Sequence, residues 1–246
     1  MLSFSDEFLA KQRILVISPH ADDESYGCAG TIARTKALGG EVYVVLVSVA
    51  DLAHYGENDD GSRTKVVSHR TRMDEFASVM NYLKVDDWDV LFTDTETHLA
   101  LDSVPRKHLV RLLESSGRLA IDRLEPTMVM IPASSYNQDH EALFRAGVTA
   151  TRPGGPGQKY TVPFVLSYDN TSLFWSGEPT RFHPNLYIDI SPFLDVKIEA
   201  LRLHTSQARD PLYHGSPEGL ELATRVRGRE VSLEAAEGFV LLRGLF

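Results

Sequence analysis

The sequence predicts a doubly wound α/β fold, a mostly parallel sheet flanked by helices. Three observations carry that prediction. Apolar runs of strand length alternate with segments of helical periodicity between residues 13 and 151. The runs at 14–17 and 42–49 lack regular polar alternation, as strands covered on both faces do. Two polar clusters, 18–24 and 134–140, follow closely on two of the runs. In such a sheet, ligands gather beyond the carboxyl ends of the strands.

Residues 13–18 form the first strand, and residues 25–38 have helical spacing that Gly39-Gly40 stops. Residues 41–48 make the second strand. Residues 51–61 are polar, with Asn58-Asp59-Asp60-Gly61 a turn cluster. Residues 64–83 read as one helix, with Val67, Met73, Phe76, Met80 and Leu83 along a stripe. A third strand at 89–93 precedes a helix at 105–124, whose middle Gly117 weakens. A fourth strand at 127–132 leads to a helix at 139–151. Pro153-Gly154-Gly155-Pro156-Gly157 is a breaker, either a surface loop or the end of a core unit. Beyond it come strands at 164–168 and 186–190, helices at 193–203 and 218–226, and a last strand at 239–242. In the common strand order 3-2-1-4-5, the first and fourth strands flank the point where the winding reverses. That Rossmann-like arrangement brings the two polar clusters together in space.

A chain of 246 residues suits one domain. We expect a single domain over 1–246, with a core at 11–152 and an additional C-terminal α/β portion at 153–246 packed on it. A hydrophobic fraction of 43% and a charged fraction of 24% are ordinary for a soluble globular protein. The net charge of -9 argues against a general affinity for nucleic acid. Solubility is its plainer meaning. No apolar stretch reaches the length of a membrane span, and residues 1–7 lack the regions of a signal peptide. A single cysteine, Cys28, excludes an internal disulfide and suits a reducing compartment, so a cytoplasmic location is expected. Oligomeric state stays open, a homo-oligomer included.

His20 and Asp23 have the spacing and chemistry to hold zinc, and His140 from the second cluster would complete a three-ligand set with room for water. Iron(II) or cobalt could also accept two nitrogens and one oxygen. Asp22 is free to take a proton from an activated water and deliver it to a leaving amine. Amide hydrolysis is the natural reaction of that arrangement. Each residue also has a plainer reading. A lone histidine at a strand end is most often a surface or hydrogen-bonded residue, and Asp22-Asp23-Glu24 could be the acidic start of a helix. Their joint occurrence at two strand ends that the fold unites favours the metal site.

With these residues assembled, nearly the whole chain resembles the LmbE/PIG-L family of zinc-dependent N-deacetylases. His20-Ala21-Asp22-Asp23-Glu24 matches the family's His-x-Asp-Asp-Glu signature, and Asp139-His140 the second half of its His-x-Asp-His signature. Arg72 with Glu75 is similar to its Arg-x-x-Glu. Lys197 through Leu201, leading to His204-Thr205-Ser206-Gln207, is similar to its Lys-x-x-Ala-Leu-x-x-His-x-Ser-Gln. Ala236-Glu237-Gly238-Phe239 is close to its terminal Ala-Glu-x-Phe. The resemblance implies His20, Asp23 and His140 on the metal, Asp22 as general base, Asp139 supporting the ligands, and Arg72 near a polar substrate group. It also implies an amino sugar or sugar conjugate as substrate. One position departs. Asn137 stands where the family has a histidine that serves the oxyanion or leaving group. An asparagine can donate a hydrogen bond but cannot shuttle a proton. Asp22 carrying both transfers is the favoured answer to that loss; Tyr136 or another donor compensating, or a weak or specialised hydrolase, are the others.

Two alternatives remain: an amidase acting on a non-sugar or thiol-conjugate amide, and a metal-binding protein without turnover. A dinucleotide-binding oxidoreductase is excluded, because carboxylates stand where that fold needs Gly-x-Gly-x-x-Gly. His54 and Tyr55 could line a substrate mouth, although exposed loop residues are the plainer reading. Trp175 could stack on a sugar ring, but core packing is commoner for such a residue. His204 and Gln207 read equally well as helix-end packing. His98, His108, His183 and His214 are given no role. Cys28 reads as a small buried hydrophobe.

Overall fold

The computed structural model describes residues 6–55, 64–155, 157–170 and 182–245, and only the backbone of 54, 55, 64 and 65. The turn at Asn58 to Gly61, Pro156, and Trp175 with its neighbours lie outside the described residues, as do the side chains of His54 and Tyr55.

A short helix α1 (Asp6–Ala10), unforeseen in the sequence, leads into β1 (Arg13–Ser18). The single helix expected at 25–38 is two: α2 (Asp23–Gly27) and α3 (Ala29–Ala37), parted at Cys28 with φ -133°. The break closes on a buried ion pair from far along the chain. Lys197 Nζ donates to the Ser25 and Tyr26 carbonyls at 3.2 and 2.6 Å, and Glu237 accepts from the Gly30 and Thr31 N–H groups at 2.9 and 2.8 Å. Lys197 and Glu237 meet at 2.6 Å. One end of each helix is thereby satisfied, as buried helix termini require.

β2 (Glu41–Ser48) keeps its expected bounds. The polar stretch after it holds a strand, β3 (Leu52–Tyr55), paired antiparallel with β4 (Thr64–Val67). The helix expected at 64–83 therefore starts later, as α4 (His69–Tyr82), where Ser68 Oγ accepts from the Thr71 N–H at 3.1 Å. β5 (Asp87–Phe92) follows. The helix expected at 105–124 is also broken. It runs as α5 (Arg106–Arg111), widens into a π turn over Leu112–Ser116, stops at Gly117, and resumes as α6 (Ile121–Leu124). A Cβ on Gly117 would lie 2.6 Å from the Leu112 carbonyl oxygen, which explains the glycine at that exit.

β6 (Met128–Pro132), α7 (Gln138–Ala150), β7 (Phe164–Tyr168), β8 (Leu186–Asp189), α8 (Leu194–Arg202), α9 (Pro217–Arg229) and β9 (Ala236–Gly244) complete the order, within a few residues of expectation. The sheet runs β5-β2-β1-β6-β7-β9-β8. Its first five strands are parallel in the expected 3-2-1-4-5 order, and β9 is antiparallel to both neighbours. Alternate residues of each central strand feed two cores. Ile14, Val16, Val44 and Met130 pack with Ile32, Phe76 and Ile198, whereas Leu15, Ile17, Val45 and Ile131 pack with Leu109, Leu113 and Leu143. Covering both faces is why these strands read as continuous apolar runs. Among the described residues, no helix is long and apolar enough to cross a membrane.

Candidate metal centre

β1 and β6 are neighbours, so their carboxyl ends open on one place. Ser18 ends β1 with its Oγ 2.8 Å from the His20 carbonyl and 3.1 Å from Glu24 Oε2, which curls the chain into α2. The His20 N–H donates to Asp23 Oδ2 at 3.0 Å. α2 can lie this close to the sheet because residue 27 is glycine: a Cβ there would fall 2.2 Å from the Tyr168 ring. On the other side, Asn137 caps α7, its Oδ1 accepting from the Asp139 and His140 N–H groups at 2.9 and 3.4 Å. The residue that departs from the family pattern thus aims its two neighbours. Its amide oxygen is occupied by that cap, and only its NH2 remains to donate.

The three expected ligands come together. One ligand atom from each of His20, Asp23 and His140 lies within 4.8 Å of the others, and all three residues are buried. His20 Nδ1 is 3.3 Å from Asp23 Oδ2, and His140 Nε2 is 3.2 Å from Asp23 Oδ1. Neighbouring ligands about 3.4 Å apart are what a tetrahedral ion with bonds of about 2.1 Å would require. The remaining nitrogen of His20 is committed: Nε2 donates to Asp139 Oδ2 at 2.8 Å, while Asp139 Oδ1 accepts from the Leu101 N–H at 2.9 Å. Such a carboxylate fixes the tautomer that leaves Nδ1 available. Asn170, just past β7, donates to Asp23 Oδ1.

The electrostatics are those of a cluster suited to a cation. Burial opposes a proton on His20, but hydrogen bonds to Asp139 and Asp23 outweigh it and push the imidazole up to about 9. Burial would raise Asp23, yet the charge and hydrogen bond of His140 and the bond from His20 hold it far below the carboxylate range. A cation can take the place of the proton that the His20 imidazole otherwise holds. Asp22 is half-buried beside them, and burial together with the Asp23 charge pushes its carboxyl up to about 6. A dication nearby opposes both causes.

A layer of buried polar groups surrounds Asp22. Glu24 Oε1 meets His204 Nε2 at 2.9 Å, and Glu24 Oε2 accepts from the Asp22 N–H at 3.2 Å. Arg72, 3% exposed, places Nη1 2.9 Å from His98 Nε2 and Nη2 3.4 Å from the Ala21 carbonyl. Glu75 instead fastens α4 to the turn after α8, accepting from Thr205 Oγ1, the Ser206 N–H and Ser206 Oγ. His98 is a site residue that sequence reasoning missed. Its ring stands edge-on to His20 with centroids 5.6 Å apart, and its Nδ1 is 3.0 Å from Ser48 Oγ. Burial, with the charges of His20 and Arg72, pushes it down to about 4. A neutral ring whose Nε2 accepts from Arg72 fits that value. His98 and Asn170 lie past the carboxyl ends of β5 and β7, so the strand-end rule would have found both had it been applied to every strand.

Residues 15–151, more than half of the chain, match the family model described as PIG-L: GlcNAc-PI de-N-acetylase. The chain belongs to the PIG-L family. A diacetylchitobiose deacetylase of Thermococcus kodakarensis is 24% identical over 249 residues, covering 98% of this chain and 87% of that protein. A probable N-acetyl-alpha-D-glucosaminyl L-malate deacetylase 2 of Bacillus subtilis is 25% identical over 207 residues, covering 82% and 86%. Among solved structures, GalB, a 4-carboxy-2-hydroxymuconate hydratase of Pseudomonas putida, superposes with a TM-score of 0.69 at 21% identity, covering 96% of this chain and 98% of that one. This PIG-L chain therefore has deacetylases acting on amino sugars among its sequence relatives. The GalB likeness shows the fold alone.

Proposed function

We propose that the protein is a zinc-dependent hydrolase that removes an N-acetyl group from an amino sugar or sugar conjugate. The observation that carries the reading is the convergence of His20, Asp23 and His140, with the Asp22 carboxylate beside them. The donor set suits zinc, though iron(II) or cobalt would also accept it. Bound there by His20, Asp23 and His140, the ion would supply Lewis acidity and an acidified water.

The chain's own groups do the rest. Asp139 holds His20 in the ligating tautomer. Asp22 accepts the proton that the attacking water loses, and returns it to the amide nitrogen as the C–N bond breaks, leaving acetate and a free amine. The Asn137 amide, fixed by its capping role, offers an N–H donor to the oxygen that gains charge. Arg72 works from behind Asp22, since its guanidinium is buried against His98 and the Ala21 carbonyl. The substrate class comes from the relatives, because a fold does not name a reaction.

Acetate release across N-acetylated sugars and their conjugates, with zinc measured in the same preparation, tests the reading. Acetate in proportion to zinc supports it. Cleavage confined to non-sugar or thiol-conjugate amides would transfer the site to the amidase alternative. Bound zinc with no turnover on either panel would leave a metal-binding protein. Asp22→Ala is expected to lower turnover by about a hundredfold or more with zinc retained.

A further inference from the structure

The backbone at Asp22 has φ 145° and ψ -24°, a region that residues with a Cβ avoid. Such a conformation persists only where the surroundings over-determine it. The peptide unit between Ala21 and Asp22 is gripped from both ends. Its N–H donates to Glu24 Oε2 at 3.2 Å, and its carbonyl accepts from Arg72 Nη2 at 3.4 Å. Neither grip stands alone. Glu24, fully buried, is itself held by His204 Nε2 at 2.9 Å and Ser25 Oγ at 3.0 Å on Oε1, and by Ser18 Oγ at 3.1 Å on Oε2. Arg72 is held by His98 Nε2 at 2.9 Å, and His98 by Ser48 Oγ at 3.0 Å. Arginine is always a donor, so His98 Nε2 must accept and its Nδ1–H must face the serine. The carboxylate of Glu24 accepts only, so His204 Nε2 carries the proton between them. His98 and His204 are 7% and 2% exposed, and neither is among the three candidate ligands.

We propose that His98 and His204 are positioning residues for Asp22. Two buried relays, Ser48–His98–Arg72 and His204–Glu24, clamp the Ala21–Asp22 peptide unit in a conformation the chain would otherwise leave. They thereby keep the Asp22 carboxylate beside the metal ligands. The proposal rests on reading Asp22 as the general base. The clamp makes one end of the chain answer for the other, because His204 lies 180 residues from its partner Glu24.

The test has a stability arm and a kinetic arm, on the full chain at one fixed free zinc concentration. In the first, His204→Ala is combined with Asp22→Ala and with Asp22→Gly. Neither Asp22 substitute carries a charge, and they differ in the Cβ that makes the conformation costly. With His204 present, the glycine chain is expected to have an unfolding equilibrium more favourable to the native state by on the order of tenfold. With His204→Ala, that advantage shrinks to within about twofold, because an unclamped peptide relaxes. An advantage that is absent with His204 present, or unchanged without it, overturns the clamp. This arm needs no turnover, so it separates failure of the clamp from failure of the hydrolase reading.

In the second arm, His204→Ala and Ser48→Ala lower kcat by on the order of tenfold while KM stays within about twofold and zinc content is unchanged. His204→Gln, which can still donate to Glu24, recovers most of its loss, and His98→Gln, which can still accept from Arg72 and donate to Ser48, stays close to the parent chain whereas His98→Ala falls like Ser48→Ala. Loss of zinc in step with kcat, or no recovery by glutamine, would reduce the two histidines to general packing.

Discussion

Replacing Lys197 with Met removes a cation buried between α2, α3 and β9, at nearly unchanged volume. Lys197 is 1% exposed and Glu237 4%, so water cannot take over the bonds that are lost. Three acceptors lose a donor: Glu237 Oε1 at 2.6 Å, left with the Gly30 N–H, and the Tyr26 and Ser25 carbonyls at 2.6 and 3.2 Å. Removing one partner of a buried pair costs about 3–5 kcal/mol, because the other charge stays behind unpaired. In a chain of this size, each kcal/mol lowers Tm by about 2–4 °C, so a fall of about 6–20 °C is expected. Urea unfolding followed by circular dichroism gives the free energy directly, and Lys197→Met with Glu237→Gln closes a double-mutant cycle. The double variant should be more stable than Lys197→Met alone, since glutamine removes the stranded charge while its oxygen still accepts from the Gly30 or Thr31 N–H. A loss below about 1 kcal/mol in Lys197→Met, the size of a surface pair, would refute the account of how α2 and α3 are joined.

Three further outcomes are expected. In chelator-treated protein, Asp22→Asn should stabilise above pH 6 by up to about 3 kcal/mol and leave stability unchanged below pH 4, because a carboxyl raised from 3.8 to about 6 penalises the native state only where it is charged. Restoring zinc should narrow that gap, and a gap that does not vary with pH would contradict the assigned environment. Asn137→Ala should cost about 1 kcal/mol through the lost cap of α7 and weaken zinc binding measured by competition with a chromogenic chelator, whereas Asn137→Asp should keep the helix stability. Gly27→Ala forces a methyl to 2.2 Å from the Tyr168 ring, and should destabilise by about 1–3 kcal/mol and loosen zinc binding by displacing α2.

The parallel core was legible because its strands are buried on both faces and carry no competing pattern. β1, β2 and β7 keep their expected bounds, and their order follows from the connections. The candidate triad was legible for a related reason: apolar packing does not place His20, Asp23 or His140 at strand mouths. What escaped depends on tertiary partners. Residues 25–38 satisfy helical periodicity, and only Lys197 and Glu237, far away in sequence, make a break at Cys28 tolerable. β3 and β4 have four residues each, so nothing local separates the first from a polar loop or the second from the start of the helix expected at 64–83. His98 sits in a polar stretch with no neighbouring motif, and only the fold delivers it to Arg72. Asn137 was weighed for the chemistry that it lacks. Its capping of α7 was written in its place, one residue before the helix.

Glu237 holds the start of α3 from 207 residues downstream, while the candidate ligands His20 and Asp23 stand just ahead of that helix. On a ribosome, these candidate metal-binding groups are therefore made about 210 residues before the strand that steadies their scaffold. Loop closures of that span are slow. Arrest between these groups and residue 237 should release a polypeptide with the candidate ligands but without that hold.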